Sequence, residues 1–236
     1  MIDYLNYLGY GFYPYVCLTA FVVGSIVRFN KSQYTWRSGS SQLLRRRELI
    51  WGSALFHYGV LMILAGHFVG LLTPPVVFKV LGISATAHQL MAVIVGGTAS
   101  IFCFIGMTML VHRRLFDTRI RATGTVMDTF ILLLVYAQLI FGMATIPISL
   151  QHLDGSEMEK LIGWVQRIVT FRSGAVESLS GVYWIFRVHL FLGMTFFLVF
   201  PFSRLVHIWS APIWYLGRAY EVVRTRRHGR PRRRLP

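Results

Sequence analysis

The sequence predicts an all-α integral membrane protein built on a bundle of five spanning helices. Three observations carry that prediction. Apolar residues make up 55% of the 236, and mean hydropathy is +0.55, a composition typical of membrane proteins. Five apolar runs are long enough for the roughly 20 residues that a helix needs to cross a bilayer. The Lys and Arg residues fall mostly on alternate connections, following the bias of cytoplasmic loops toward these residues.

Tyr4 to Val27 forms the first expected span, with Pro14 near its outer end. A polar segment from Arg28 to Arg47 follows, centred on QYTWRSGSSQ. The second span, Leu49 to Leu72, is closed by Thr73-Pro74-Pro75, a strong stop signal. A short loop with Lys79 leads to the third span, residues 86–111, and HRRLFDTRIRATGT follows it. The fourth span runs from Val126 to Leu150 and contains Pro147, which membrane helices tolerate. The fifth is read as one helix from Val182 to Trp209, followed by a basic tail at 210–236.

The connection from Gln151 to Gly181 differs in kind. Ser156 and Glu159 match the S-x-x-E capping box that marks a helix start. Met158, Leu161, Ile162, Val165, Ile168 and Val169 recur at helical spacing, and Gly174 is read as the stop. A short amphipathic helix is therefore expected in the 4–5 loop, on the membrane surface or over the mouth of the bundle.

Counting Lys and Arg gives 19 on the side of the Arg28–Arg47 loop, the Arg113–Arg121 loop, Arg204 and the tail, and five on the other. That asymmetry predicts an external N-terminus and a cytoplasmic C-terminus. It also explains the net charge of +15 without nucleic acid, because the arginines flank apolar runs. The tail is expected to attract anionic lipid headgroups. Cys17 and Cys103 lie within apolar runs and form no Cys-x-x-Cys or Cys-x-x-Cys-His motif. Covalent haem and iron–sulfur sites therefore lack their usual ligands. The opening Met-Ile-Asp-Tyr has no basic n-region, so no cleavable signal peptide is expected.

The histidines carry the chemistry. His57 and His67 share the second span, and His189 and His207 share the fifth. Ionisable side chains inside a bilayer are costly and usually functional. With the two helices antiparallel, depth pairs His67 with His189 near the outside and His57 with His207 near the cytoplasm. Each rung offers two imidazoles and lacks the third or fourth ligand that zinc favours, whereas bis-imidazole ligation is ordinary for haem. Two haems b, held without covalent bonds between helices 2 and 5, are the expected cofactors. The spacings are unequal: His57 to His67 rises about 15 Å and His189 to His207 about 27 Å. Crossing helices, staggered ligands or a bend at Pro201 must absorb the difference.

Gly52, Gly59, Gly66, Gly70 and Gly193 lie near the ligands, where small residues either admit a large ring or serve close helix packing. Gly66 and Gly70 are taken as part of the outer site. Arg187 and Arg204 sit two and three residues before a ligand, placed either to pair with haem propionates or to snorkel to the interface. His112 and His228 fall in basic segments and are expected to be solvated, and His152 to be structural. Tyr34, Trp36 and Arg37 combine aromatic and charged groups in a way that suits a protein interface.

Several stretches carry a family resemblance: QYTWR (33–37), FH (56–57), GHF (66–68), RRLF (113–116), QHLDGSEM (151–158) and FPFSRLVHIWS (200–210). Through them the chain resembles the gamma subunit of respiratory nitrate reductase, a di-haem cytochrome b, over roughly Tyr13 to Tyr220. The resemblance implies a multi-pass protein of a bacterial or archaeal cell (inner) membrane. It implies quinol oxidation near the outer haem and proton release outside. Electrons pass inward to the iron–sulfur (beta) subunit and on to the molybdenum (alpha) subunit, which reduces nitrate. The four ligands carry over onto His57, His67, His189 and His207. A basic residue at the outer start of the third helix is implied to hold the quinol. Alignment on MAVIVGG (91–97) places His88 there, and ungapped counting from His67 places Ala87 there. His88 is the expected contact, because imidazole can bond a quinol oxygen and accept its proton. The rival readings are the cytochrome of a related reductase and a haem-free transporter using the histidines as a proton relay.

Overall fold

The computed structural model describes residues 2–32 and 44–210, and all the regular structure within them is helical. Five helices are long and apolar enough to cross a membrane: Asp3–Lys31, Arg46–Leu72, Ala85–Phe116, Val126–Gln151 and Trp184–Phe202. Extensive seams run second to third, third to fourth, fourth to fifth and fifth to first. The second and first helices stand at the two ends of that series, and the second and fifth share no such seam among the described residues. The Tyr34–Arg37 segment and the arginine tail lie outside the described residues.

The seam between the second and third helices is glycine-lined. A Cβ on Gly59 would lie 2.6 Å from the Cys103 backbone nitrogen, and one on Gly106 would overlap the Phe56 nitrogen. Gly52 likewise faces Met109 and the Gly106 carbonyl. Gly52 and Gly59 therefore serve close helix packing, the alternative that small residues always carry in membrane bundles.

Proline shapes the first helix. Pro14 has no N–H to offer the Tyr10 carbonyl four residues back, and the backbone widens into a π-helix at Tyr7–Phe12. Trp164 Nε1 donates to that Tyr10 carbonyl at 2.9 Å. Trp164 belongs to the amphipathic helix Ser156–Val169, whose buried Trp164 and Ile168 pack with Ala175, Leu179, Val182 and Phe186. Gln166 Nε2 on the same helix donates to the Thr73 carbonyl at 3.1 Å. The amphipathic helix thus closes the mouth of the bundle, tying the start of the first span to the end of the second.

Three local expectations are corrected. Ser156 is not the cap: Gly155, at φ 81°, occupies that position, and the Ser156 hydroxyl donates instead to Asp154 Oδ1 at 3.0 Å. The amphipathic helix stops at Val169, five residues before Gly174, with Phe171 in the left-handed region at φ 56°. The fifth span is not one helix to Trp209. Its α-helix is Trp184–Val199, followed by 3-10 turns at Phe200–Phe202 and Arg204–Ser210 around an extended Ser203. Pro201 is the cause, since it gives no N–H to the Phe197 carbonyl and its ring crowds that turn. Gly24 of the first helix admits the buried Pro201, which a Cβ would meet at 2.7 Å. A bend at Pro201 is one of the three ways to reconcile the histidine spacings, and the backbone does break there.

Charged groups at the His57 end knit the short connections together. Asp117 caps Thr118–Ala122 and pairs with Arg45 at 3.2 Å. The Ile120 and Arg119 backbone N–H groups and the Arg45 guanidinium hold its carboxyl below the ordinary carboxylate range. Thr125 and Asp128 form a reciprocal capping box at the start of the fourth helix.

Candidate functional site

At one end of the bundle the second and fifth helices meet through two imidazoles. The His67 and His189 ring centres are 6.1 Å apart, with 46° between the planes. An ion bridging two imidazole nitrogens, with bonds of about 2 Å, puts the ring centres about 6 Å apart. Both rings also turn the same nitrogen away from that space. His67 Nδ1 donates to the Ile63 carbonyl at 2.8 Å, and His189 Nδ1 to the Gln138 carbonyl at 3.2 Å. A carbonyl can only accept, so Nδ1 carries the proton and Nε2 keeps the lone pair that a metal needs. Ligating histidines are commonly fixed in this way.

The other two candidates follow the same rule. His57 Nδ1 donates to the Ser53 carbonyl at 2.7 Å, and His207 Nδ1 to the Arg204 carbonyl at 2.7 Å. His57 lies in an open depression of about 550 Å³ lined also by Arg46, Ile50, Ser53 and Tyr58. Buried Ser203 and Val206 anchor the His207 segment, and Trp209 packs edge-on against Phe200. His152 shares the Nδ1 pattern, donating to the Ile148 carbonyl at 3.1 Å, but its ring lies beside Tyr183 and no second imidazole faces it among the described residues. Tautomer alone is therefore not diagnostic, and the facing pair is what distinguishes His67 and His189.

The residues fit a haem. Two imidazoles converge, while no group of three or more His, Cys, Asp or Glu side chains does so among the described residues. Beside His67, a Cβ on Gly66 would meet nothing within 4 Å, and one on Gly70 would meet only His88 Nε2, at 3.6 Å. Two buried polar atoms near the His67 end, Arg187 Nε and Gln138 Oε1, have no hydrogen-bond partner.

The two arginines are already engaged with protein. Arg187 Nη2 donates to the Leu179 carbonyl at 2.7 Å and Nη1 reaches Asn6 Oδ1 at 3.4 Å, tying the fifth helix to the capping loop and the first helix. Arg204 Nε donates to Asp128 Oδ1 at 2.7 Å.

His88 stands at the first turn of the third helix, whose cap is Ser84, the acceptor for the Ala87 N–H at 3.1 Å. Its half-buried ring stacks on Phe78, with centres 4.0 Å apart, and turns Nε2 toward Gly70, one turn beyond His67. Ala87 is exposed. Of the two alignments, the one that selects His88 places an imidazole against Gly70 and Phe78.

Two residues that shape this site escaped the sequence reading. Gln138 supplies the carbonyl that orients His189, and Gly142 admits its ring, since a Cβ there would lie 2.8 Å from His189 Cε1. The available signal was Gln138 itself, a lone amide in the apolar run ILLLVYAQLIFGMATI.

Known proteins resemble the chain over nearly its whole length. Residues 6–226 match the family model described as nitrate reductase gamma subunit. The chain is 50% identical to the respiratory nitrate reductase 2 gamma chain of Escherichia coli (strain K12), covering 96% of this chain and 100% of that one. It is 49% identical to the respiratory nitrate reductase 1 gamma chain of the same organism, covering 95% and 100%. The nitrate reductase gamma chain of Bacillus subtilis (strain 168) is 38% identical over 92% of this chain and 97% of its own length.

Proposed function

The chain belongs to the nitrate reductase gamma subunit family, and from that premise we propose that it is the quinol-oxidising di-haem cytochrome b of a respiratory nitrate reductase. The observation that carries the reading is the facing pair His67 and His189, with both Nδ1 protons committed to carbonyls and both Nε2 lone pairs left for a metal. His57 and His207, in the same tautomer, are the ligands of a second site near the opposite face. When bound, the two haems b supply one-electron carriers at two depths of the membrane.

The residues then divide the work. His88 bonds a quinol oxygen and takes its proton, with Gly66 and Gly70 leaving room for the quinol ring beside the outer ligands. The two quinol protons leave to the outside and its two electrons move inward. The 19-to-5 partition of Lys and Arg supports an external N-terminus. Each electron carried inward separates charge across the bilayer, worth about 2.3 kcal/mol per 100 mV. Arg187 and Arg204 hold the segments bearing the fifth-helix ligands, and their remaining N–H groups would be the donors for haem propionates. The iron–sulfur subunit docks on the cytoplasmic surface and delivers electrons to the molybdenum subunit, where nitrate is reduced.

A reduced-minus-oxidised spectrum of the purified complex tests the reading, with two low-spin b-type haems per chain expected. A chain that binds no haem in the assembled complex would overturn it. Copurification with a molybdenum and iron–sulfur pair separates it from a related reductase.

Two predictions follow from the parts. His88→Ala slows quinol-driven reduction of both haems, by about 10²-fold for loss of a positioned base, while spectra and dithionite reduction stay intact. Native quinol kinetics in that variant would remove His88 from the site. Crosslinkers placed at Trp36 and in the Arg113–Arg121 loop capture the iron–sulfur subunit from the cytoplasmic side. Labelling of both positions only from outside the cell would reverse the topology.

A further inference from the structure

We propose that Arg46 is a binding residue of the inner site, its guanidinium placed to pair with the carboxylate edge of the haem that His57 holds. The inference rests on the reading of His57 as a ligand. Arg46 and His57 line one open depression of about 550 Å³, together with Leu49, Ile50, Ser53 and Ala54. All of them belong to the second helix, Arg46–Leu72. Arg46, Leu49 or Ile50, Ser53 and His57 follow one another at three or four residues, so they share one face of that helix. The eleven residues from Arg46 to His57 make close to three full turns, a rise of about 16 Å.

The order of chemistry along that stripe is specific. His57 stands at one end, its Nδ1 committed to the Ser53 carbonyl at 2.7 Å, which leaves Nε2 as the ligating nitrogen. Ser53 and Ala54 are small where the turn before the imidazole needs room, and Leu49 and Ile50 give an apolar middle. Arg46 closes the other end, at the first residue of the helix. A group that is metal-centred, apolar through its body and anionic at one edge matches that order. Haem has that form.

Electrostatics give Arg46 a need for an anion. A cation in the first turn of a helix opposes the helix dipole, which favours negative charge there. The other arginines at this end have protein acceptors. Arg45 pairs with Glu48 and Asp117, Arg113 donates to the Leu44 carbonyl at 2.9 Å, and Arg114 and Arg204 both meet Asp128. Arg46 is exposed and pairs with no protein acceptor among the described residues. Its charge, held beside the haem edge, offsets the carboxylates and favours the form carrying one more electron. Arg46 therefore makes the inner site a better electron acceptor. A lipid phosphate is the other anion of the same chemistry.

The test is a redox titration of the full complex in phosphatidylcholine vesicles, with the two haems resolved by electron paramagnetic resonance. Arg46→Gln removes the charge and keeps a polar side chain. It is expected to lower the inner midpoint potential by about 59 mV, a tenfold change in the one-electron equilibrium, with the outer haem unmoved. Arg46→Lys restores most of the shift. Arg47→Gln takes the same charge from the next residue, whose side chain does not line the depression, and leaves the inner potential native. Loss of the inner haem alone from Arg46→Gln, regained in Arg46→Lys, would support the pairing equally. A native inner potential in Arg46→Gln, or equal shifts from the Arg46 and Arg47 variants, would overturn it and leave ligation by His57 standing. A shift that appears only after phosphatidylglycerol is added would assign Arg46 to a lipid phosphate and overturn it as well. Absence of haem from the native complex would instead sink the reading on which the proposal rests.

Discussion

His67→Ala and His189→Ala each yield a complex with one haem per chain, the inner one, and quinol-driven electron transfer at background. His57→Ala and His207→Ala do the reverse, retaining the outer haem and stranding electrons there. The direction is set by coordination: losing an axial imidazole leaves iron a ligand short in an apolar site that alanine cannot fill. The pairing is the sharper claim. His67 and His189 must fall together because their rings face across 6.1 Å with both Nδ1 protons committed to carbonyls. A pigment analysis beside electron paramagnetic resonance of the four variants checks it. Two low-spin haems in all four would sink the ligand set. Loss of the same haem from His67→Ala and His207→Ala would mean that the rungs are crossed.

The five spans were legible because hydropathy and length depend on local composition, which a single sequence displays in full. The candidate histidines stood out for the same reason, as polar exceptions in apolar helices. What the sequence hid were relations between helices. Gln138 and Gly142 matter only because His189 lies against them, and no spacing within the fourth helix announces that. The glycines show the same limit. Gly59 and Gly66 read alike in the sequence, yet one is packed against Cys103 and the other faces open space. The fifth helix was misread for a different reason. Its hydropathy continues through Trp209, but Pro201 lacks the N–H that an α-helix needs, so backbone chemistry overrode composition. At Ser156 a correct motif lost to a neighbour, because Asp154 accepts both the Ser156 N–H and its hydroxyl. The true capping box, Thr125 with Asp128, carries an Asp where the S-x-x-E pattern looks for Glu.

Asp128→Ala should be the most destabilising single change at the His57 end, at about 4 kcal/mol. Asp128 Oδ2 pairs with Arg114 Nη2 at 3.5 Å and accepts the Thr125 N–H at 2.8 Å, while Oδ1 accepts from Arg204 Nε at 2.7 Å. The three partners contribute unequally. Arg114 and Asp128 are each only 11% exposed, so removing the carboxylate strands a buried guanidinium, a loss of about 3–5 kcal/mol. Arg114 still reaches the Ile120 carbonyl, the Thr125 carbonyl and Thr129 Oγ1, which places the loss near about 3 kcal/mol. The capping box adds about 1 kcal/mol. Arg204 is 42% exposed, so its ion pair adds little stability. Its weight is positional, because His207 lies three residues beyond it, past the break at Pro201, where no α-helix fixes the ligand. Asp128→Asn keeps an acceptor for the Thr125 N–H and loses only the charge, so it should recover about 1 kcal/mol of the deficit. Denaturant unfolding of the detergent-solubilised complex, followed at the inner haem band, separates the two variants. Inner haem should be lost before outer haem as denaturant rises. Native unfolding midpoints in both variants would show that the Arg114–Asp128–Arg204 cluster holds neither the bundle nor the ligand.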